Sequence, residues 1–220
     1  MKWKLAAILT VILFSSTSQA QDISGGSRAQ GWDFYIGPQY IDSQTLHFDG
    51  GAAADIESRA SLLFGVGYHF DEHFALDFMF SSSSANYTGT ARSDSGETQT
   101  FVADMYTSSF NLAATYYLLT GRFTPYLTGN VGFTYIDSGI PTGEVTEGCW
   151  WDPWYGYECY PYARTYNSNK FNYGLQAGLR YDFENHVFLK AGGGINTVDL
   201  DTRDTTTFVL YNVVVGFMFK

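Results

Sequence analysis

From Tyr211 to Phe219 an aromatic or branched side chain falls at every second residue: Tyr211, Val213, Val215, Phe217 and Phe219, separated by Asn212, Val214, Gly216 and Met218. Period two is the repeat of a β-strand, whose side chains point alternately to opposite faces, so this stretch predicts a strand with one wholly apolar face. The rhythm recurs upstream. Trp32, Phe34, Ile36 and Tyr40 oppose Asp33, Tyr35, Gly37 and Gln39, and Leu62, Phe64, Val66, Tyr68 and Phe70 oppose Ser61, Leu63, Gly65, Gly67 and His69. Phe74, Leu76, Phe78 and Phe80 alternate with Ala75, Asp77, Met79 and Ser81, and Tyr106–Leu118 and Phe123–Tyr135 keep the same beat. Phe171–Phe183 and Val187–Asn196 complete the set, with Gln176, Arg180, Asp182, Phe188 and Lys190 on their second faces.

Each of the eight segments has, or nearly has, the roughly 9–11 residues with which a tilted strand crosses a bilayer. Three connections are tight and carry hairpin turn residues: Asp71-Glu72-His73, Thr120-Gly121-Arg122 and Glu184-Asn185-His186. The others, 42–59, 82–100, 138–168 and 199–205, are polar and mostly long. The pattern predicts an all-β fold: an eight-stranded antiparallel up-and-down transmembrane β-barrel with short periplasmic turns and long extracellular loops.

Alternation alone leaves the direction of the apolar face open. A soluble lipocalin-like barrel would turn that face inward around a ligand. The second face, however, is mostly Gly, Ser, Thr and Asn, not the Lys and Glu of a water-facing surface. An eight-stranded lumen also has room for little beyond filler side chains, not for this many aromatics. Aromatics gather near both strand ends, Trp32, Phe70 and Phe183 at one and Tyr40, Tyr135 and Tyr211 at the other, as interfacial girdles do. With 18% aromatic and only 15% charged residues, the chain is built for lipid outside.

Lys2 and Lys4 precede an apolar run from Leu5 to Phe14, and Ser18-Gln19-Ala20 suits cleavage, so residues 1–20 are expected to be a signal peptide and 21–220 one barrel domain. The formal net charge of −10 becomes more negative once those lysines leave, which argues against nucleic acid as a partner. The only cysteines, Cys149 and Cys159, suit a small disulfide loop in an exported protein. No histidine lies near them to complete a metal site, and no cofactor is expected.

The run Pro125-Tyr126-Leu127-Thr128-Gly129-Asn130-Val131-Gly132, the run Gly178-Leu179-Arg180-Tyr181-Asp182-Phe183 and the terminal strand resemble the small outer-membrane barrels of the OmpA-like and opacity-protein-like surface-antigen family, here as the barrel domain only. The resemblance extends over essentially the whole exported chain. It implies the outer membrane of a Gram-negative cell, contact with its lipid and lipopolysaccharide, and recognition of the terminal strand by the barrel assembly machinery. Lys220 departs from that signal, which usually ends on the aromatic itself. The family includes adhesins, serum-resistance proteins and structural proteins.

Two clusters stand out as candidate sites. Asp33, Asp77, Arg180 and Lys190 share inward parity near the periplasmic ends of their strands, and charges there must pair. They form either a packed polar core or a switchable plug. In loop 138–168, Cys149 and Cys159 enclose Trp150, Trp151, Trp154, Tyr155 and Tyr157. Such rings suit contact with a host or matrix ligand, or pack on one another and order the loop. Acidic residues in the other loops, among them Asp42, Asp55, Glu57 and Asp199, are expected to be solvated, with Arg59 and Arg203 partly offsetting them.

A surface interaction or structural protein is the leading reading. A narrow passive channel for ions or small hydrophobic solutes is the alternative: side chains normally fill an eight-stranded interior, but inward glycines such as Gly65, Gly178, Gly192 and Gly216 could leave gaps. An enzyme acting on lipid A is the outsider. Of the four histidines only His47 is on the outer side, and no His-x-Ser pattern accompanies it.

Overall fold

The computed structural model describes residues 28–48, 52–92, 98–152, 156–200 and 206–220, and their side chains except at 91–99 and 144–163. The expected signal peptide lies outside these residues. Ten strands follow in order: β1 Trp32–Ile41, β2 Gln44–His47, β3 Ala53–Ile56, β4 Arg59–His69, β5 Phe74–Arg92, β6 Thr98–Tyr117, β7 Phe123–Asp152, β8 Gly156–Asp182, β9 Val187–Val198 and β10 Thr206–Phe219. Eight of them close an antiparallel ring, β1-β4-β5-β6-β7-β8-β9-β10, sealed by pairing of β10 with β1 from Trp32↔Phe219 to Ile41↔Leu210. The closing ladder passes over Gly37 and Pro38, where proline has no N–H to give.

Burial follows period two. Along β10, Phe208, Leu210, Asn212, Val214, Gly216 and Met218 point inward, while Tyr211, Val213, Val215, Phe217 and Phe219 point out. The same outward set on the other strands, including Trp32, Phe34, Leu62, Phe78, Phe110, Val131 and Leu175, makes a continuous apolar belt. A belt that wide is far beyond what water tolerates on a monomer, and it matches the lipid-facing band of a spanning barrel.

The polar connections differ from the sequence expectation, since most of 82–100 and 138–168 is ladder. β5 and β6 pair from Phe74↔Tyr116 to Arg92↔Thr98, and β7 and β8 from Phe123↔Tyr181 to Asp152↔Gly156. Along the β5–β6 extension the outward face turns polar, with Ser82, Ser84 and Asn86, while Ala85, Tyr87 and Met105 face inward, so the outward apolar alternation that marks the spanning segments stops there. The stretch 42–59 holds the β2–β3 hairpin, whose β3 lies against β5 through Ala53↔Thr90 to Ile56↔Tyr87. At the short-turn end, Asp71 accepts the amides of His73 at 2.7 Å and Phe74 at 2.8 Å, which holds its carboxyl below the usual range.

The inward glycines Gly65, Gly178, Gly192 and Gly216 do not leave gaps; rings fill the space over them. Tyr35 pairs across the ladder with Gly65, Tyr126 with Gly178 and Phe188 with Gly216. A Cβ on Gly178 or Gly192 would come within 2.5 Å of the Tyr126 hydroxyl, and one on Gly65 would overlap the Tyr35 ring. Large residues set against small ones fit a narrow lumen without strain. Gly65→Val is therefore expected to destabilise the barrel by about 1–3 kcal/mol through overpacking. In a double-mutant cycle measured by urea unfolding, Tyr35→Ala should cancel much of that cost; strict additivity of the two changes would contradict the interlock.

Candidate functional site: a layered lumen and a projecting ribbon

Three chemistries are stacked along the barrel axis. At the short-turn end, the fold brings Asp33, Asp77, Arg180 and Lys190 together. Asp33 comes from the start of β1, Asp77 from β5, Arg180 from the end of β8 and Lys190 from β9; Arg180 and Lys190 are direct cross-strand partners. All four are buried. Arg180 donates to Asp33 through Nη1 and, at 3.3 Å, through Nη2, and its Nε donates to Asp182 Oδ1 at 2.6 Å. Lys190 Nζ lies between the two acids, 3.8 Å from Asp33 Oδ2 and 3.9 Å from Asp77 Oδ1. Asp77 also accepts the Thr115 hydroxyl at 2.8 Å and the Tyr35 hydroxyl at 3.3 Å.

Several members escape a charge-only search. His69 Nε2 is 2.8 Å from Asp33 Oδ2 and donates to it, and the imidazole stacks on Tyr117 at 5.3 Å. Arg28, just before β1, crosses the mouth: Nη1 donates to Asp182 at 3.0 Å and Nη2 to the Leu119 carbonyl at 2.6 Å. Aromatic faces complete the packing. The Arg180 guanidinium lies 3.9 Å from the Phe188 centroid, and Lys190 Nζ lies 4.6 Å from that of Tyr35. His69, Tyr35 and Phe188 share the inward parity of the acids, so the alternation itself carried the signal. Arg28 precedes the periodic segment, and nothing in the pattern marks it.

The cations Arg28, Arg180 and Lys190 are thus matched by Asp33, Asp77 and Asp182. Desolvated charges persist only when geometry and hydrogen bonds offset the loss of water. Every donor on Arg180 has an acceptor or a ring beside it.

Above the charges comes a belt of hydroxyls and amides. Thr115 meets Thr128 at 3.0 Å, Ser109 meets Thr134 at 2.9 Å, and Ser83 meets Thr107 at 2.8 Å. Asn130 Nδ2 donates to Asn111 and Asn196 at 3.3 Å each, and Asn212 donates to Gln176 at 3.0 Å. At the long-loop end the lining turns apolar, with Leu46, Ile56, Tyr87, Met105, Val198 and Phe208 in one cluster. A cavity of about 450 Å³ occupies this upper half. The expectation that Arg59 merely offsets loop acids is overturned here: its side chain turns inward and lines that cavity. His47, by contrast, is exposed on β2.

Beyond Asp137 the β7–β8 pair is no longer in ladder register with β6, which pairs with β7 only from Tyr106↔Asp137 to Tyr117↔Tyr126, although Ser138 still accepts the Tyr87 hydroxyl at 3.0 Å and Ile140 still packs on the apolar cluster. Two register shifts bend it, between Asp137 and Pro141 and between Pro141 and Val145; Gly139 (φ 65°) and Gly143 (φ 85°) supply the left-handed backbone there. Asp137 staples the bend by accepting the Gly139 amide at 3.0 Å and the Thr165 hydroxyl at 2.8 Å. Cys149 lies opposite Cys159, Trp150 opposite Glu158 and Trp151 opposite Tyr157, whereas Trp154 and Tyr155 lie outside the described residues.

Arg180→Ala leaves Asp33 buried with less than its share of positive charge and empties the space over Phe188. The unfolding free energy of the variant is expected to fall by about 3–5 kcal/mol, seen as a lower urea midpoint with unchanged slope. A loss under about 1 kcal/mol would show that the cluster is not the keystone of the short-turn end.

The family model for the outer membrane protein beta-barrel domain matches residues 6–219. Among solved structures, the outer membrane protein OprG from Pseudomonas aeruginosa is similar in fold: 14% identity, 88% of this chain and 98% of that one, TM-score 0.56. Neisserial surface protein A also matches, at 13% identity over 89% of this chain and 99% of that one, with a TM-score of 0.48. The attachment invasion locus protein Ail of Yersinia pestis, solved with the heparin analogue sucrose octasulfate, matches at 10% identity over 87% and 99%, again with a TM-score of 0.48. No curated protein sequence matches this one. With the apolar belt, the closed ring and the family match in agreement, the chain belongs to the outer-membrane protein β-barrel domain family and resides in the Gram-negative outer membrane.

Proposed function

We propose that this barrel is a non-catalytic surface protein that presents the β7–β8 ribbon to partners outside the cell. The observation that carries the reading is the ladder itself, which runs on from Asp137 to Asp152↔Gly156 after its pairing with β6 has ended and past the last β5–β6 pair, Arg92↔Thr98. At about 3.3 Å per residue, the shorter arm from Asn167 to Gly156 gives a contour on the order of 35 Å, longer than the neighbouring β5–β6 extension from Tyr106 to Thr98. A paired ribbon holds its contact residues at low entropic cost, unlike an open loop. Cross-strand partners sit about 4.5–5.5 Å apart at Cα, a span that a disulfide bridges without distortion, so we assign a bond between Cys149 and Cys159 near the tip. Trp150, Trp151 and Trp154, with Tyr155 and Tyr157, then serve as the contact surface for a host or matrix ligand.

Passage through the lumen fits less well, because the charged and aromatic floor fills the section beneath the cavity. The barrel acts as an anchor, and its outer half does the binding. In cells displaying the protein, replacing Trp150, Trp151 and Trp154 together by Ala should abolish attachment to matrix-coated surfaces while heat-modifiable gel mobility stays that of the folded barrel. Undiminished attachment by the triple variant would remove the ribbon from this role.

A further inference from the structure

The cavity in the outer half of the lumen has a feature that anchoring does not use. Arg59 opens β4 and turns inward, 8% exposed, with its guanidinium 5.2 Å from the Phe208 centroid. Its Nε donates to Ser83 Oγ at 3.1 Å, and its buried Nη1 has no partner. Among the described residues no carboxylate pairs with it and none lines the cavity. The floor cluster, by contrast, matches each cation to an acid. A guanidinium removed from water with no counter-charge is costly, and an anion resolves that cost with two parallel hydrogen bonds.

What surrounds this cation narrows the anion. Leu46 and Ile56 from the β2–β3 hairpin, Met105 from β6, and Val198 and Phe208 across the lumen form an apolar collar over the cavity. Its volume of about 450 Å³ is that of a small-ligand site. A hydrated inorganic anion would satisfy Arg59 and leave the collar bare, while a neutral hydrocarbon would do the reverse. We propose that the outer half of the lumen binds a small aliphatic carboxylate, its tail within the collar and its carboxylate on Arg59. Beneath it the amide belt of Asn111, Asn130 and Gln176 and then the charged floor block onward passage, so the site is a dead end entered from the outer side.

The methionines allow a direct test in nanodiscs, where ligand dissolved in the bilayer is separable from ligand in the lumen. Met79 and Met105 line the cavity, whereas Met218 lies in the lumen outside its lining. With methyl-labelled methionine, titration with decanoate should shift the Met79 and Met105 resonances saturably and leave Met218 in place. Arg59→Gln should weaken the apparent affinity for decanoate by about tenfold or more, the range of a charge-assisted pair, while decanol binds both proteins alike. Equal affinity of the parent for decanoate and decanol, unsaturable shifts, or no effect of Arg59→Gln would each overturn the proposal. Should Arg59→Gln fail to refold, Leu46→Trp, which fills the collar from the hairpin, must abolish decanoate binding; retained binding in that variant counts against the site equally.

Discussion

Closure of the β1–β10 ladder is the constraint on which the rest depends. In a hydrocarbon layer an unpaired N–H or C=O has no water to turn to, so a spanning sheet survives only without edges. Pairing of Trp32–Ile41 with Leu210–Phe219 removes the last two edges, and eight strands then set the bore. Once the bore is that narrow, the inward side chains have to fill it and find partners for one another. The ring-over-glycine interlocks and the balanced charge cluster are two answers to the same requirement.

The charge cluster should be understood through what its loss would cost, not through what it adds. Burying Asp33, Asp77, Arg180 and Lys190 sacrifices hydration, and the Coulomb attraction among them does little more than offset that. An apolar filling of the same volume would hold the barrel as well or better. The role we propose for a charged floor is registry and a seal, since each group is useful only where its partners are. Arg28 extends the seal to the mouth by tying the segment before β1 to Asp182 and Leu119. The apolar collar at the opposite end obeys no such balance, and Arg59 is the place where that shows.

Much of this was legible in the residues. Period two marked all eight spanning strands, because a lipid exterior imposes one rule on every second position; the direction of the apolar face came from the Gly, Ser, Thr and Asn of the second face, and the tight turns from their turn residues. The same parity placed Asp33, Asp77, Arg180 and Lys190 on one side of the wall near one end. The strand extensions were hidden. Ser81 to Ser84, Thr88, Gly89 and Thr90 pair as well as any apolar run, but in water the outward face no longer has to be hydrophobic, so the outward pattern lapses where the membrane stops. Arg59 was misplaced for a related reason: next to Glu57 in a polar stretch it looks like a loop charge, and only closure of the barrel shows that it begins an inward-facing register. The inward glycines were misjudged as gaps because a sequence shows the missing side chain and not the cross-strand ring that occupies its place.

The two ends of this molecule therefore do different things. The short-turn end is packed and charge-balanced; the outer end carries a cavity and the β7–β8 ladder that runs past its pairing with β6. The central claim is that the floor seals the lumen, and single-channel recording of the refolded barrel in a planar bilayer tests it most directly. The account predicts a silent barrel at all voltages the bilayer withstands. Reproducible, discrete openings of the correctly folded protein would contradict it and make the Asp33–Arg180 cluster the lining of a pathway.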